Sequence, residues 1–232
     1  MSDNAESHAL HPFAAGLSCV ALPSASHAQA NMDTDKALVS SHTTGLILRH
    51  YRWETPGITL PEKRDIPDEL YHYDVGIRPT GGGILFHAPG DFLFSLIAPN
   101  QDPRFPKPLS QKMQWLSVAM KIALDTVGLV TRPDTDAGRP IERQYCHTYP
   151  NPFELRYQND KVCAFALRRF RHFFLIQGLL HLRPNAPAFP SLGEGYEPYF
   201  SEGLPLTQAQ EMTLIVVFLE ECHRLFEGPS WS

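Results

Sequence analysis

The chain has 232 residues, enough for one large domain with a full hydrophobic core and no need of metal or disulfide staples. Hydrophobic residues make up 43% and charged residues 19%, which excludes a disordered or collagen-like chain. Twenty Lys and Arg against 25 Asp and Glu give a net charge of −5, which argues against a general nucleic-acid binder. No apolar run approaches the roughly 18–20 residues needed to span a bilayer. A secretory signal would begin with basic residues, yet Asp3 and Glu6 stand there and the first basic residue is Lys36. The four cysteines (Cys19, Cys146, Cys163 and Cys222) form no CxxC pair, so free thiols in a reducing cytoplasm are expected.

Residues 1–30, rich in Ala, Ser and His, read as a loosely ordered leader, and 31–232 as the folded domain. Asp33–Val39 is a short helix candidate, with Asp33, Thr34 and Asp35 offering N-cap chemistry. Leu46–Trp53 alternates with period two and predicts a strand, followed by a short one at Gly57–Leu60. A helical turn is expected over Asp65–Tyr71. Three short strands follow at Tyr73–Arg78, Gly83–His87 and Phe92–Ala98, punctuated by Gly- and Pro-rich turns. In Ser110–Val127, Met113, Leu116, Ala119, Met120 and Ala123 fall on one helical stripe. Thr131–Arg143 reads as a charged loop. Strands are expected at Phe153–Tyr157, Lys161–Arg169 and Phe173–Leu182. The Pro- and Gly-rich segment Asn185–Leu206 is a long loop, of the kind that is usually functional or mobile. Thr207–Phe226 closes the chain as a helix capped by Thr207. Strands dominate and helices pack around them, so the class is α+β, a mixed β-sheet flanked by helices.

The most unusual local feature is Arg78-Pro79-Thr80-Gly81-Gly82-Gly83, followed by Ile84-Leu85-Phe86-His87. Successive glycines between strands expose backbone N–H groups and let a ligand approach closely, although Gly-Gly is also ordinary hairpin chemistry. No Gly-Lys-Ser/Thr follows, so a Walker-type phosphate loop does not fit. The glycines are consecutive and lead into a strand, so a dinucleotide fingerprint does not fit either.

This segment resembles the R-x-[ST]-G-G-G-x-x-x-H signature of the lipoate–protein ligase and octanoyltransferase superfamily. Asn31-Met32-Asp33-Thr34-Asp35-Lys36-Ala37-Leu38 is similar to that family's opening helix. Leu48-Arg49-His50-Tyr51-Arg52-Trp53 with Pro56 is similar to its next strand, and Asn159-Asp160-Lys161-Val162 to the turn that carries its lysine. Four motifs in the family's order span about residues 31–182. Cys146-His147-Thr148-Tyr149-Pro150-Asn151-Pro152-Phe153-Glu154-Leu155 looks like the nucleophile loop of the cysteine octanoyltransferases and related amidotransferases. The resemblance implies a biotinyl/lipoyl protein ligase-like catalytic fold. It implies Cys146 and Lys161 as catalytic residues, and Arg78, Thr80, Gly81, Gly82, Gly83 and His87 as residues that bind substrate. The physical logic agrees: thioester chemistry needs a thiolate, and a neighbouring Lys⁺ favours it and stabilises a developing oxyanion.

Departures from the family pattern stand beside these matches. Phe165, in a stretch that is usually small, is expected to narrow or displace the acyl channel, and Pro79 replaces a commonly basic residue. Cys163 is a rival nucleophile, more simply read as strand packing. Cys222 falls in the last helix and not in a late P-C-G turn. Arg168-Arg169-Phe170-Arg171-His172 reads as a solvated strand end or as a docking point for an acidic acyl carrier protein. His8, His11, His27 and His72 lack metal-ligand spacing, so no metal site is expected.

The resemblance thus implies an acyltransferase of protein lipoylation, cytoplasmic and requiring no cofactor. It would carry an octanoyl or lipoyl group from acyl carrier protein, or another acyl-thioester donor, through Cys146 to a lysine of a lipoyl domain or the glycine-cleavage H protein. The alternatives are a lipoate–protein ligase using ATP and Mg, in which Arg78 and the glycines hold lipoyl-adenylate, and a module that binds carrier domains without turnover. Neither nucleic acid nor membrane is an expected partner.

Overall fold

The computed structural model describes residues 10–12, 17–21, 27–41, 45–135 and 144–227, with side chains from His27 onward. Eight strands form one sheet: β1 (Leu10–Pro12), β2 (Leu17–Ala21), β3 (Leu46–Arg52), β7 (Phe92–Pro99), β8 (Thr131–Asp134), β9 (Asn151–Tyr157), β10 (Asp160–Arg169) and β11 (Phe173–Leu180), in spatial order β1-β2-β3-β7-β11-β10-β9-β8. Only β2 and β3 run parallel among these neighbours. A smaller sheet, ordered β5-β4-β6, holds β4 (Gly57–Pro61), β5 (Asp74–Arg78) and β6 (Leu85–His87). The class is α+β, as the sequence predicts.

Helices α2 (Leu109–Thr126) and α3 (Gln208–Glu227) pack together against the large sheet. The predicted stripe Met113, Leu116, Ala119, Met120 and Ala123 is buried with Leu214, Phe218 and Cys222 of α3, against Phe94, Leu96 and Ile176 of the sheet. Helix α2 ends at Gly128, whose φ of +85° suits glycine past a helix C-terminus. Helix α3 starts with a reciprocal cap: Gln210 N–H donates to Thr207 Oγ1 and Thr207 N–H donates to Gln210 Oε1.

Several expectations change. Helix α1 spans Ala28–Ser41 and starts before Asp33. Its first N–H donates to Asp74 Oδ2 of β5 at 2.7 Å, so a remote carboxylate caps it, and Asp33, Thr34 and Asp35 sit inside it. Strands β1 and β2 extend the large sheet beyond β3 within the expected leader, most of which lies outside the described residues. The expected loop Thr131–Arg143 begins instead as strand β8, paired with β9; residues 136–143 lie outside the described residues. Arg132 and Pro133 hide the strand pattern, and proline is tolerated there because β8 is an edge. The long 185–206 segment is tied down: Phe189 and Phe200 are buried against Phe86, both at 5.0 Å between ring centroids. No helix among the described residues is long and apolar enough to cross a membrane.

Candidate active site

The two sheets are joined where the chemistry-bearing motifs meet. Ile84, just after the glycines, bridges to Tyr145: Ile84 N–H donates to Gln144 O at 2.6 Å and Cys146 N–H donates to Ile84 O at 2.9 Å. These bonds lay the Cys146 segment on the glycine loop. A Cβ at Gly83 would stand 2.7 Å from both Cys146 N and Gln144 O, so no larger residue fits. Gly82 has φ +105°, which an L side chain rarely adopts. A Cβ at Gly81 would meet nothing within 4 Å. Of the three glycines, one is set by packing, one by backbone conformation, and one is open.

Beside this junction lies a cavity of about 730 Å³, within the size range of small-molecule sites. Met32, Tyr51, Leu85, Leu93, Phe165 and Leu179 supply apolar wall; Arg64, Arg78, His87, Cys146 and Glu154 supply polar groups. Phe165 packs edge-on against Phe94 and leaves the cavity present. Gly178 is required opposite the same ring, because a Cβ there would overlap Phe94. Cys146 is partly exposed in a 3-10 turn, Cys146–Thr148, and is a free thiol. Its neighbour Tyr145 stacks on Tyr199 with ring centroids 3.8 Å apart, so the 185–206 segment braces the turn.

Lys161 is not a solvated turn residue. It is 1% exposed; Nζ donates to Glu154 Oε2 at 2.6 Å, Cys146 O at 3.0 Å and Tyr149 O, and forms an ion pair with Asp134 Oδ2 at 2.8 Å. Burial opposes its charge, yet Glu154, Cys146 and Asp134 hold its pKa above the ordinary lysine value. Lys161 therefore clamps the Cys146 turn by two carbonyls and is not among the residues lining the cavity. Asp134 also binds Arg156 at 3.0 Å.

Burial and the Glu154 carboxylate push the Cys146 thiol above the ordinary range, against the pull of Lys161, Arg78 and a Gly83 backbone hydrogen bond. At rest Cys146 is thus a neutral thiol; the Lys161 cation acts in the expected direction but is outweighed. Cys163 is fully buried, and desolvation followed by Glu154 raises its pKa well above the ordinary value, which removes it as a rival.

Arg78 is buried and spends its donors on the loop itself. Nη1 reaches Thr59 O at 2.8 Å, while Nη2 reaches Gly81 O at 2.9 Å and Gly83 O at 2.5 Å. Burial lowers its pKa to about 10, so it stays charged at neutral pH. Thr80 is not among the cavity residues: its hydroxyl donates to Gln177 Oε1 at 2.7 Å. His87 lines the cavity and stacks on Trp53 at 4.2 Å. Desolvation, helped by His181 and Arg78, lowers its pKa far below the ordinary value, so it is neutral. Thr59 Oγ1 accepts from Arg78 Nη1 and can donate its own hydroxyl hydrogen bond to His87 Nε2 at 2.8 Å. His87 then carries hydrogen on Nδ1, a buried atom with no hydrogen-bond partner among the described residues.

Of the sequence-predicted residues, Arg78, Gly81, Gly82, Gly83, His87 and Cys146 line one cavity, while Lys161 and Thr80 stand behind it. Asp134 and Arg64 were not anticipated. Arg168 donates to Pro79 O at 2.7 Å and lies 3.8 Å from Glu62, so part of the expected basic cluster is already engaged; Arg169, Arg171 and His172 remain exposed. Among the described residues no group of three or more His, Cys, Asp or Glu could hold a metal ion.

The fold is similar to that of the T. acidophilum protein Ta0514, solved with bound lipoic acid: TM-score 0.64, 17% identity, covering 87% of this chain and 84% of that one. It is similar to lipoate-protein ligase A bound with ATP, with TM-score 0.60, 18% identity and coverage of 83% and 79%. It is also similar to the bipartite lipoate protein ligase from Thermoplasma acidophilum, solved in work on that ligase and its E2 lipoyl domain: TM-score 0.60, 16% identity, coverage of 90% and 83%. No curated protein matches the sequence. The family model for the lipoyl protein ligase A/B catalytic domain matches residues 27–215, and that span holds the glycine loop, the cavity and both Cys146 and Lys161. The chain belongs to the lipoyl protein ligase A/B catalytic domain family.

Proposed function

We propose that this protein transfers an octanoyl or lipoyl group from a thioester donor, acyl carrier protein foremost, to a lysine of a lipoyl domain or the glycine-cleavage H protein, through a thioester on Cys146. The observation that carries this reading is a free thiol opening on a largely apolar cavity, on a turn clamped by Lys161 and laid against the glycine loop. Cys146 gives up its proton and attacks the donor carbonyl; the donor thiol leaves with a proton. The acceptor amine then attacks the acyl-Cys146 carbonyl and restores the thiol. The positive charge of Lys161 favours the thiolate. Direct contact with the acyl carbonyl would require Nζ to release one of its three present hydrogen-bond acceptors. No cofactor enters this scheme, and a cytoplasmic setting suits its free thiols.

The test is to mix purified protein with octanoyl-loaded acyl carrier protein, without ATP, and read the intact mass. An octanoyl adduct in the parent and none in Cys146→Ser is the expected result; no adduct in the parent sinks the reading.

A second reading, ATP- and Mg-dependent ligation through lipoyl-adenylate, is favoured by one observation: the resting Cys146 thiol is held protonated. Lipoylation of an acceptor domain only when lipoate, ATP and magnesium are supplied would establish it. Binding of a carrier domain without turnover in either assay would leave the non-catalytic module.

A further inference from the structure

Two guanidinium groups line the cavity, and they are placed very differently. Arg78 is consumed by the loop it frames, with Nε, Nη1 and Nη2 all directed at Thr59 and the glycine-loop carbonyls. Arg64 closes the turn that follows β4, its N–H bonded to Pro61 O at 3.1 Å, and its side chain reaches the cavity wall. No carboxylate pairs with it among the described residues, and its Nε is shut from solvent with no acceptor. Its charge is felt at Arg78, whose pKa it depresses. Two like charges therefore bear on one partly apolar cavity, and among the described residues the Arg64 guanidinium has no side-chain hydrogen-bond acceptor. A planar guanidinium with free donors is the side chain best shaped for a phosphoryl group. The open backbone at Gly81 leaves space for a ligand beside the loop.

We propose that Arg64 binds a phosphoryl group of the acyl donor, and so selects phosphorylated donors over neutral ones. The inference rests on the reading of this cavity as the acyl-donor site. The phosphoryl group can come from two sources, a phosphopantetheine arm bearing a thioester or an acyl-adenylate. In either case Arg78 shapes the loop and Arg64 reads the charge.

The test uses the full chain and two matched probe pairs. Octanoyl-4′-phosphopantetheine and octanoyl-pantetheine differ only in the phosphate; the rate of octanoyl addition to Cys146 is followed by intact mass across probe concentration. Octanoyl-AMP and 5′-O-octanoyl-adenosine, which lacks the phosphate, are compared by titration calorimetry. The parent protein is expected to prefer the phosphorylated member of at least one pair by about 10- to 100-fold, the range for one charge-assisted hydrogen-bonded contact. In Arg64→Gln that preference falls to near one through KM or Kd, and Arg64→Lys restores part of it. A preference unchanged in Arg64→Gln, or an equal loss on both members of a pair, overturns the proposal. If neither thioester loads Cys146 but octanoyl-AMP binding drops in Arg64→Gln, Arg64 stands with the adenylate as its ligand and the thioester reading fails.

Discussion

At Gly83 the main chain of Cys146 lies where a side chain would begin. Gly83→Ala therefore acts on the nucleophile without touching it. Forcing a methyl into that contact is expected to cost about 1–3 kcal/mol, seen as a lower thermal midpoint. It also pushes the Cys146 turn away from Ile84, so iodoacetamide modification of Cys146, read by peptide mass, should change together with a loss of acyl loading. The Cys146 thiol carries a second expectation. Because burial and Glu154 raise its pKa, its alkylation rate should climb with pH through neutrality and level off only above the ordinary thiol range. Glu154→Gln removes a negative charge that disfavours the thiolate, so the levelling point should move to lower pH. A profile that stays in place would mean that Glu154 is not the group opposing ionisation.

Strands β8, β9 and β10 work as a unit, since each contributes one charged group to the cage around Lys161: Asp134, Glu154 and Lys161 itself. Removing the cation leaves buried Glu154 without its ion-pair partner and Asp134 with Arg156 alone. Lys161→Met is expected to lose about 3–5 kcal/mol in urea denaturation at neutral pH. In that variant the folded state holds a proton on Glu154 more tightly than the unfolded chain does, since burial raises its pKa and the opposing Lys161 charge is gone. Stability should thus fall as pH rises, and the deficit should shrink as pH drops towards the carboxylate range. Lys161 and Glu154 were legible in the sequence, because both sit in local motifs that resemble family segments. Asp134 was not: it reaches the cage only through the pairing of β8 with β9, and Arg132-Pro133 conceals that strand. Arg64 was hidden for a similar reason, since a charged residue in an exposed-looking turn shows its role only once β4 and the glycine loop are brought together.

Over the whole molecule, one buried network ties the motifs into a single body. Asp35 of α1 accepts from Arg49 of β3 at 2.8 Å, Ser95 of β7 at 2.6 Å and Gln177 of β11 at 2.6 Å, and Gln177 in turn accepts from Thr80 beside the glycines. Burial raises the pKa of Asp35 against the pull of Arg49, so the pair depends on complete satisfaction. Asp35→Ala strands the buried Arg49 and is expected to cost about 3–5 kcal/mol, with acyl loading falling as Thr80 loosens. An unchanged thermal midpoint would show the network to be dispensable. Strand and helix periodicity revealed α2, α3, β3 and β7 from sequence, because their patterns are local. Asp35 and Arg49 stood out only within motifs that resemble family segments, and the sheet order is what places them in contact with each other and with Gln177.

The neutral thiol at Cys146 bears on how the protein survives between turnovers. Peroxide and disulfide exchange act on thiolates, so a sulfur kept protonated by burial and Glu154 is a poor target for either. In the proposed transfer scheme, the same arrangement that slows attack on a donor shields the thiol from oxidants. Among the residues with described side chains the other thiols, Cys163 and Cys222, are both buried, and Cys163 belongs to the packed core of the sheet. The safeguard therefore lies in the electrostatics of the turn and not in a resolving partner beside it.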